Sequence, residues 1–134
     1  MMAANRGRPG LQLAGLLAAL TGALWLTGCA AGDRTPPAEV PNGNPAMGRL
    51  AIERFGCGTC HAIPGVRGAD GTVGPPLDHM GRRGYIAGHL PNNGPNLIRW
   101  IQHPQQVDPG NAMPDLGVGD VDARDIAAYL FTLD

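Results

Sequence analysis

The chain has 134 residues, enough for one domain, and its 4% aromatic content with 21 glycines and 13 prolines predicts a small core with much loop. Its ten basic residues are all arginine, its eleven acids give a net charge of -1, and no basic run occurs. The charge pattern excludes the basic patch with which proteins bind nucleic acid. The small size of the core makes a bound cofactor a natural stabiliser.

The N-terminal segment has the layout of a secretory signal. Arg6 and Arg8 precede an apolar stretch from Leu11 to Leu26, the order of a charged region followed by a hydrophobic one. The stretch is shorter than the ~20 residues of a typical transmembrane helix and contains polar residues and glycines, so an uncleaved membrane anchor is the alternative. We expect residues 1–28 to direct export and to be removed.

Cys29 directly follows this stretch, and lipid attachment explains its position. Leu26-Thr27-Gly28-Cys29 resembles the bacterial lipobox, in which cleavage before the cysteine is followed by its acylation. The resemblance implies an exported protein held by a lipid anchor at the periplasmic face of a bacterial membrane. A soluble periplasmic protein with a free thiol is the alternative.

Residues 29–46 contain four prolines and no apolar period, which predicts a flexible linker. A first helix is then predicted over about residues 47–55. Its apolar side is expected to carry Leu50, Ala51 and Phe55, which lie at near-helical spacing.

Cys57, Cys60 and His61 form a C-x-x-C-H motif after this helix, the spacing of c-type haem attachment. On one helical turn the two thiols are placed to form thioethers with two vinyl groups, and the adjacent imidazole is placed to bind the iron. A redox-active cysteine pair, a structural disulfide and half of a zinc site are the alternatives. They are disfavoured because no strand pattern precedes Cys57 and no second cysteine pair exists to complete a zinc site.

A ligating histidine normally donates its second ring proton to a carbonyl group. The segment 74–77, Gly-Pro-Pro-Leu, is the candidate source of that carbonyl, and the sequence leaves open which residue supplies it.

The sixth iron ligand separates electron transfer from chemistry on small molecules, and Met113 is the candidate. It lies in the sequence Pro-Gly-Asn-Ala-Met-Pro, whose residues fix backbone shape and exclude helix. Met80 is the alternative, but it follows His61 closely and reaches the opposite haem face only by a long detour, so we interpret it as packing. The remaining histidines are interpreted as surface or hydrogen-bonded side chains: His79, His89 and His103.

Two further helices are predicted on either side of Met113. One runs from near Pro95 to just before Pro104, and the other starts with Asp120 as its N-cap. Their apolar positions at helical spacing are Leu97, Ile98 and Ile101 in the first and Ile126, Tyr129, Leu130 and Leu133 in the second. No strand pattern is evident, so the sequence predicts an all-α fold.

In this order the motifs resemble the class I cytochromes c over residues 47–134, the expected folded domain. The resemblance implies a small helical domain wrapped around one covalently bound haem c. Pro75 resembles the proline of the family's loop behind the proximal histidine, and Arg82 resembles the family's arginine that meets a haem propionate, with Arg83 as the alternative. Trp100 stands where mitochondrial cytochrome c has a tyrosine beside the methionine; packing on the porphyrin, an indole hydrogen bond to a propionate and a core role are all open to it. The motifs that carry the resemblance are Gly48 with Ile52, C-x-x-C-H, Gly74-Pro75 with Leu77, Gly81-Arg82, the run from Asn96 to Met113, and the terminal helix around Tyr129.

With both His61 and Met113 on the iron, the resemblance implies a single-electron carrier and not an enzyme. Redox proteins of membrane respiratory complexes are the expected partners, with no small-molecule substrate. One alternative is the cytochrome c subunit of a membrane oxidoreductase or terminal oxidase; another is a haem peroxidase or small-ligand binder, which requires Met113 to be unbound. The chain has no lysine, so the lysine ring with which mitochondrial cytochrome c docks is absent.

Overall fold

The structure, a computed structural model, describes residues 39–134; the predicted signal, Cys29 and residues 30–38 of the predicted linker lie outside the described residues. The elements of the described part are α1 (Pro45–Arg54), β1 (Tyr85–Ile86), β2 (Leu90–Pro91), α2 (Gly94–Gln102), α3 (Pro104–Val107) and α4 (Asp120–Phe131), with single 3-10 turns at Cys57–Thr59 and Met80–Arg82. The expected all-α class is confirmed. The sequence did not predict α3 or the hairpin, because a four-residue helix and two-residue strands are too short to show a period.

Helix α1 begins at Pro45, two residues earlier than predicted, because Asn44 caps it. The Asn44 side-chain oxygen accepts hydrogen bonds from the backbone N–H groups of Ala46 (3.1 Å) and Met47 (3.2 Å). Proline suits the first helical turn, where its missing N–H costs no helical hydrogen bond.

The predicted apolar side of α1 is wrong at one position. Ala51 and Ile52 are buried, at 2% and 1% exposure, whereas Leu50 is 46% exposed. The buried face is centred on Gly48 and Ile52 because that side of the helix packs against α4.

The contact between α1 and α4 depends on Gly48. A Cβ atom at position 48 would overlap the backbone carbonyl of Asp125 and lie 2.9 Å from the Ile126 nitrogen. The buried Asp125 carboxylate accepts a hydrogen bond from the Asn44 N–H (2.8 Å), and Arg54 pairs with Asp122 (2.6 Å). The two helices therefore meet backbone to backbone, with polar contacts near both ends of α1.

Residues 39–46, which the sequence analysis assigns to the linker, pack against the domain. Val40 is 2% exposed and belongs to the hydrophobic core. The Glu39 carbonyl lies where a Cβ atom of Gly94 would stand, so the chain passes directly over the start of α2. The packed region thus extends at least as far back as Val40, because this side chain is buried against the helices.

Helix α4 starts one residue earlier than predicted, because Asp120, the predicted N-cap, is already helical. Gly119 is the N-cap and Asp120 is the first helical residue. The Asp120 carboxylate accepts a hydrogen bond from Gln102 Nε2 (2.8 Å), so it links α4 to the end of α2 and does not cap its own helix. Leu133 lies beyond the helix, half-buried against the core.

Replacing Gly48 by alanine is expected to destabilise the protein. The added methyl group forces α1 away from α4, which we expect to lower the free energy of unfolding by about 2 kcal/mol in urea denaturation. Gly84→Ala is the matched control, because a Cβ atom there meets no atom of the described residues within 4 Å. Equal losses in the two variants would contradict the close helix contact.

Candidate cofactor site

A cavity of about 770 Å³ lies between the helices and the loops that join them. Its volume is within the ~300–1,000 Å³ of typical ligand and cofactor pockets. Core side chains from three helices form its apolar walls: Ile52 from α1, Leu97 and Ile101 from α2, and Ile126 and Leu130 from α4. Six of the seven residues predicted to bind the cofactor also line it: Cys57, Cys60, His61, Pro75, Trp100 and Met113.

The C-x-x-C-H segment forms a tight turn at the cavity wall. Gly56 adopts a left-handed conformation (φ 68°), which glycine tolerates, and it redirects the chain from α1 into the 3-10 turn. The backbone N–H groups of Cys60 and His61 both donate to the Cys57 carbonyl, at 3.2 and 3.0 Å. Both thiols are free and half-buried. The turn thus brings two thiols and one imidazole to the same cavity.

The surroundings of the cysteine pair count against two of its alternative interpretations, a redox-active pair and half of a zinc site. Burial raises the pKa of the Cys57 thiol above its usual value, whereas redox-active cysteines have a lowered pKa. A helix, α1, and not a strand precedes the motif. Within residues 39–134, no three His, Cys, Asp or Glu side chains converge in a metal-binding group, so a zinc site has no second half there.

The His61 imidazole is oriented by the loop after it. Its Nδ1 atom lies 2.7 Å from the Pro75 carbonyl oxygen. Because a carbonyl only accepts, Nδ1 carries the proton and donates it, which leaves the Nε2 lone pair free for a metal ion. Pro75 therefore supplies the carbonyl that accepts the His61 proton, a choice that the sequence left open.

Gly74 lets this loop lie flat on the imidazole. A Cβ atom at position 74 would overlap the His61 ring, with Nδ1 at 2.7 Å. Backbone hydrogen bonds from Gly74 N to the Cys60 carbonyl and from Leu77 N to the Ala62 carbonyl, both 2.8 Å, hold the loop alongside the motif. The ring position is thus set by the backbone of this one loop.

Two methionines reach the cavity. Met113 is half-buried and lies in the loop between α3 and α4. Met80 is 4% exposed, packs in the core beside α4 and also lines the cavity. A variant at each position therefore separates their roles.

Of the two adjacent arginines, Arg83 lines the cavity and Arg82 does not. The Arg82 guanidinium is exposed and lies 2.8 Å from Nδ1 of His79. Arg83 is held over the loop by hydrogen bonds from Nη2 to the Pro76 carbonyl (2.6 Å) and to the Asp78 carbonyl (2.8 Å). The sequence motif pointed to the pair, but only the loop geometry distinguishes its two members.

The other histidines lie away from the cavity lining and are exposed. Each has an aspartate nearby, at 3.9 Å for His79 and Asp78, 3.4 Å for His89 and Asp108, and 4.0 Å for His103 and Asp115. These positions agree with their interpretation as surface histidines. Sequence reasoning missed Gln105 and Asn111, whose side-chain amides hold the Met113 loop; their only sequence signal was their place among the prolines and glycine of that segment.

Comparison with known proteins gives the chain its family. Residues 48–134 match the family model described as Cytochrome c. The chain is 37% identical over 112 residues to cytochrome c oxidase subunit 2 of Alkalihalophilus pseudofirmus, covering 81% of this chain and 30% of that protein. It is 40% identical over 65 residues to cytochrome c oxidase subunit 2 of Bacillus sp. strain PS3, covering 47% of this chain and 18% of that protein.

The chain spans less than a third of the length of these two relatives. The family model runs from the first helix to the last residue and includes every residue that lines the cavity. The chain therefore belongs to the cytochrome c family.

Proposed function

We propose that this chain is a single-electron carrier that holds one haem c through thioethers at Cys57 and Cys60, with His61 and Met113 as the axial ligands. The observation that carries the proposal is that these four residues line one apolar cavity. The donor set suits haem c, with two free thiols, an imidazole whose Nε2 is available, and a thioether. Family membership independently implies this cofactor.

The bound haem supplies one-electron exchange between the ferrous and ferric states of its iron. The Pro75 carbonyl keeps His61 in one tautomer and orientation, so the ligand does not rearrange when the charge changes. Met113 would hold the bound haem from the side opposite His61, where its thioether would leave no site for a substrate and, as a soft ligand, would favour the ferrous state. The apolar walls around the site exclude water, which also favours the ferrous state. This combination suits a carrier of relatively high potential.

We further propose that the protein is exported and tethered by a lipid at Cys29. The support is the lipobox-like sequence directly after the apolar stretch. No helix within residues 39–134 is long and apolar enough to cross a membrane. Several acyl chains on one residue hold a protein at a bilayer much more firmly than a single chain.

A haem-stained denaturing gel, with intact mass of the membrane fraction, tests the two covalent modifications. We expect haem staining and one haem mass on the wild-type chain, and an acyl mass on a chain that begins at Cys29. The double variant Cys57→Ala/Cys60→Ala should lose the stain and keep the acyl mass, whereas Cys29→Ala should do the reverse. An unmodified wild-type mass from cells able to attach haem would rule out covalent attachment.

Substitution of Met113 tests the axial ligand. Ferric haem ligated by methionine sulfur has a weak absorption band at the red edge of the visible spectrum, and Met113→Ala should abolish it and lower the reduction potential. Met80→Leu is the matched control, because it replaces the other cavity methionine with a side chain of similar volume, and it should keep the band. A band that survives in Met113→Ala but disappears in Met80→Leu would transfer the role to Met80. A wild-type protein without the band would instead favour the small-ligand or peroxidase function.

A second candidate function is that of an electron-transfer subunit within a terminal oxidase. It is favoured by the similarity to two relatives that are both cytochrome c oxidase subunit 2, of which this chain matches a part. The chemistry at the haem is the same in both candidates; they differ in whether the chain leaves its partner.

Affinity purification from membranes in mild detergent distinguishes the shuttle from the subunit. A subunit should bring down oxidase activity in a fixed ratio that persists at raised salt, and deletion of the chain should abolish that activity. A shuttle should separate from the oxidase, and adding the purified chain back should restore electron flow in a saturable manner. Fixed-ratio copurification would contradict the free shuttle.

A further inference from the structure

The backbone of Met113 is held on both sides by side-chain amides. Asn111 Oδ1 accepts a hydrogen bond from the Met113 N–H at 2.8 Å. Gln105 Nε2 donates to the Met113 carbonyl at 2.8 Å. Both polar groups of this one residue are thus fixed, although it lies outside every helix and strand.

Both amides are fully used in this network. Gln105 donates a second hydrogen bond to the Asn111 carbonyl (2.9 Å) and accepts one from the Gly110 N–H (3.1 Å). Asn111 donates to the carbonyls of Pro104 (3.0 Å) and Asp108 (2.6 Å). An amide has two donors and one acceptor group, and all of them have partners here. A fully satisfied network of this kind is rigid, since moving any one member breaks several bonds.

The network connects the Met113 loop to helix α3, which is anchored in the core. Gln105 lies in α3, and Pro104 at the start of α3 is among the most buried side chains of the described residues. The loop itself contains Pro109, Pro114 and Gly110, the last with a φ of 86°, so backbone ladder bonds are not available to hold it. The two amides replace those bonds.

We infer that Gln105 and Asn111 are positioning residues that hold Met113 ready as an axial ligand and keep competing ligands from the iron. The inference rests on the proposed ligation by Met113. The loop has two states, one with the thioether at the iron and one in which it has moved away. An outside ligand binds only the state in which the thioether has moved away. Each hydrogen bond of the network that favours the state with the thioether at the iron therefore lowers the affinity for outside ligands by the same factor.

Imidazole binding to the ferric holoprotein measures this equilibrium. Gln105→Leu removes both hydrogen bonds that Gln105 donates and the one that it accepts, and we expect imidazole to bind about tenfold more tightly. Gln105→Glu keeps the shape of the side chain and its acceptor but loses both donors. It also turns a negative charge towards two carbonyl oxygens, so its affinity for imidazole should rise at least as much as that of Gln105→Leu. The control is Gln106→Leu, an exposed neighbour in the same helix, which should stay within about twofold of wild type.

The outcomes separate this inference from the proposed ligation. If wild type has the sulfur band, Met113→Ala loses it, and both Gln105 variants bind imidazole within twofold of wild type, the positioning role is wrong while the ligation stands. If wild type lacks the band, the ligation itself is wrong and the inference falls with it. If Gln105→Leu yields no holoprotein, the isosteric Gln105→Glu decides alone. A merely structural role would lower thermal stability in these variants without changing imidazole affinity.

Discussion

The hydrogen bond from the His61 imidazole to the Pro75 carbonyl sets the direction in which the whole site faces. At 2.7 Å it fixes the protonated nitrogen, so only Nε2 is available to a metal ion. The adjacent Gly74 has no side chain to push the ring away, and backbone bonds hold the loop beside residues 60–62. The two thiols lie in the same turn as this ring, so one short segment would supply both the attachment points and the first iron ligand of a bound haem.

The two sides of the site are built by different physical means. On the His61 side, short-range backbone hydrogen bonds and the covalent spacing of C-x-x-C-H determine the geometry, so almost everything is local in sequence. On the Met113 side, irregular backbone is held by the amides of Gln105 and Asn111. The first side suits permanent retention of a cofactor. On the second side, the position of the Met113 backbone depends on a few side-chain hydrogen bonds, each of which a single substitution removes.

The difference explains how much of the site could be predicted from the sequence. Cys57, Cys60 and His61 are recognisable because their chemistry requires a fixed spacing, and Met113 because prolines and a glycine mark its loop. The carbonyl of Pro75 and the choice of Arg83 over Arg82 at the cavity depend on how a loop folds back, which no period in the sequence encodes. Hydrogen bonds from side chains to the backbone are similarly invisible in a sequence, which is why the contacts of the two amides with Met113 were not predicted.

The same reasoning applies to the fold. The three long helices were predictable because apolar residues recur at helical spacing, whereas their ends depended on single capping interactions. Asn44 caps α1, and Asp120 bonds to Gln102 when it was expected to cap α4. Leu50 was assigned to the wrong side because apolar character alone does not say which face meets α4. Burial was decided by Gly48, whose lack of a side chain permits the closest approach.

The contact between α1 and α4 positions the site as well as closing the fold. Helix α1 carries Ile52 into the cavity wall and leads through Gly56 into the cysteine turn, while α4 supplies Ile126 and Leu130 to the same wall. The Tyr129 hydroxyl, whose pKa is raised by burial, keeps its proton and donates it to the Pro64 carbonyl at 2.6 Å. That bond joins α4 to the segment just after His61. The packing of α1 on α4 is therefore connected to the cysteine turn through α1 and to the segment after His61 through the Tyr129 hydrogen bond, so the contact that closes the fold also positions the His61 side of the site.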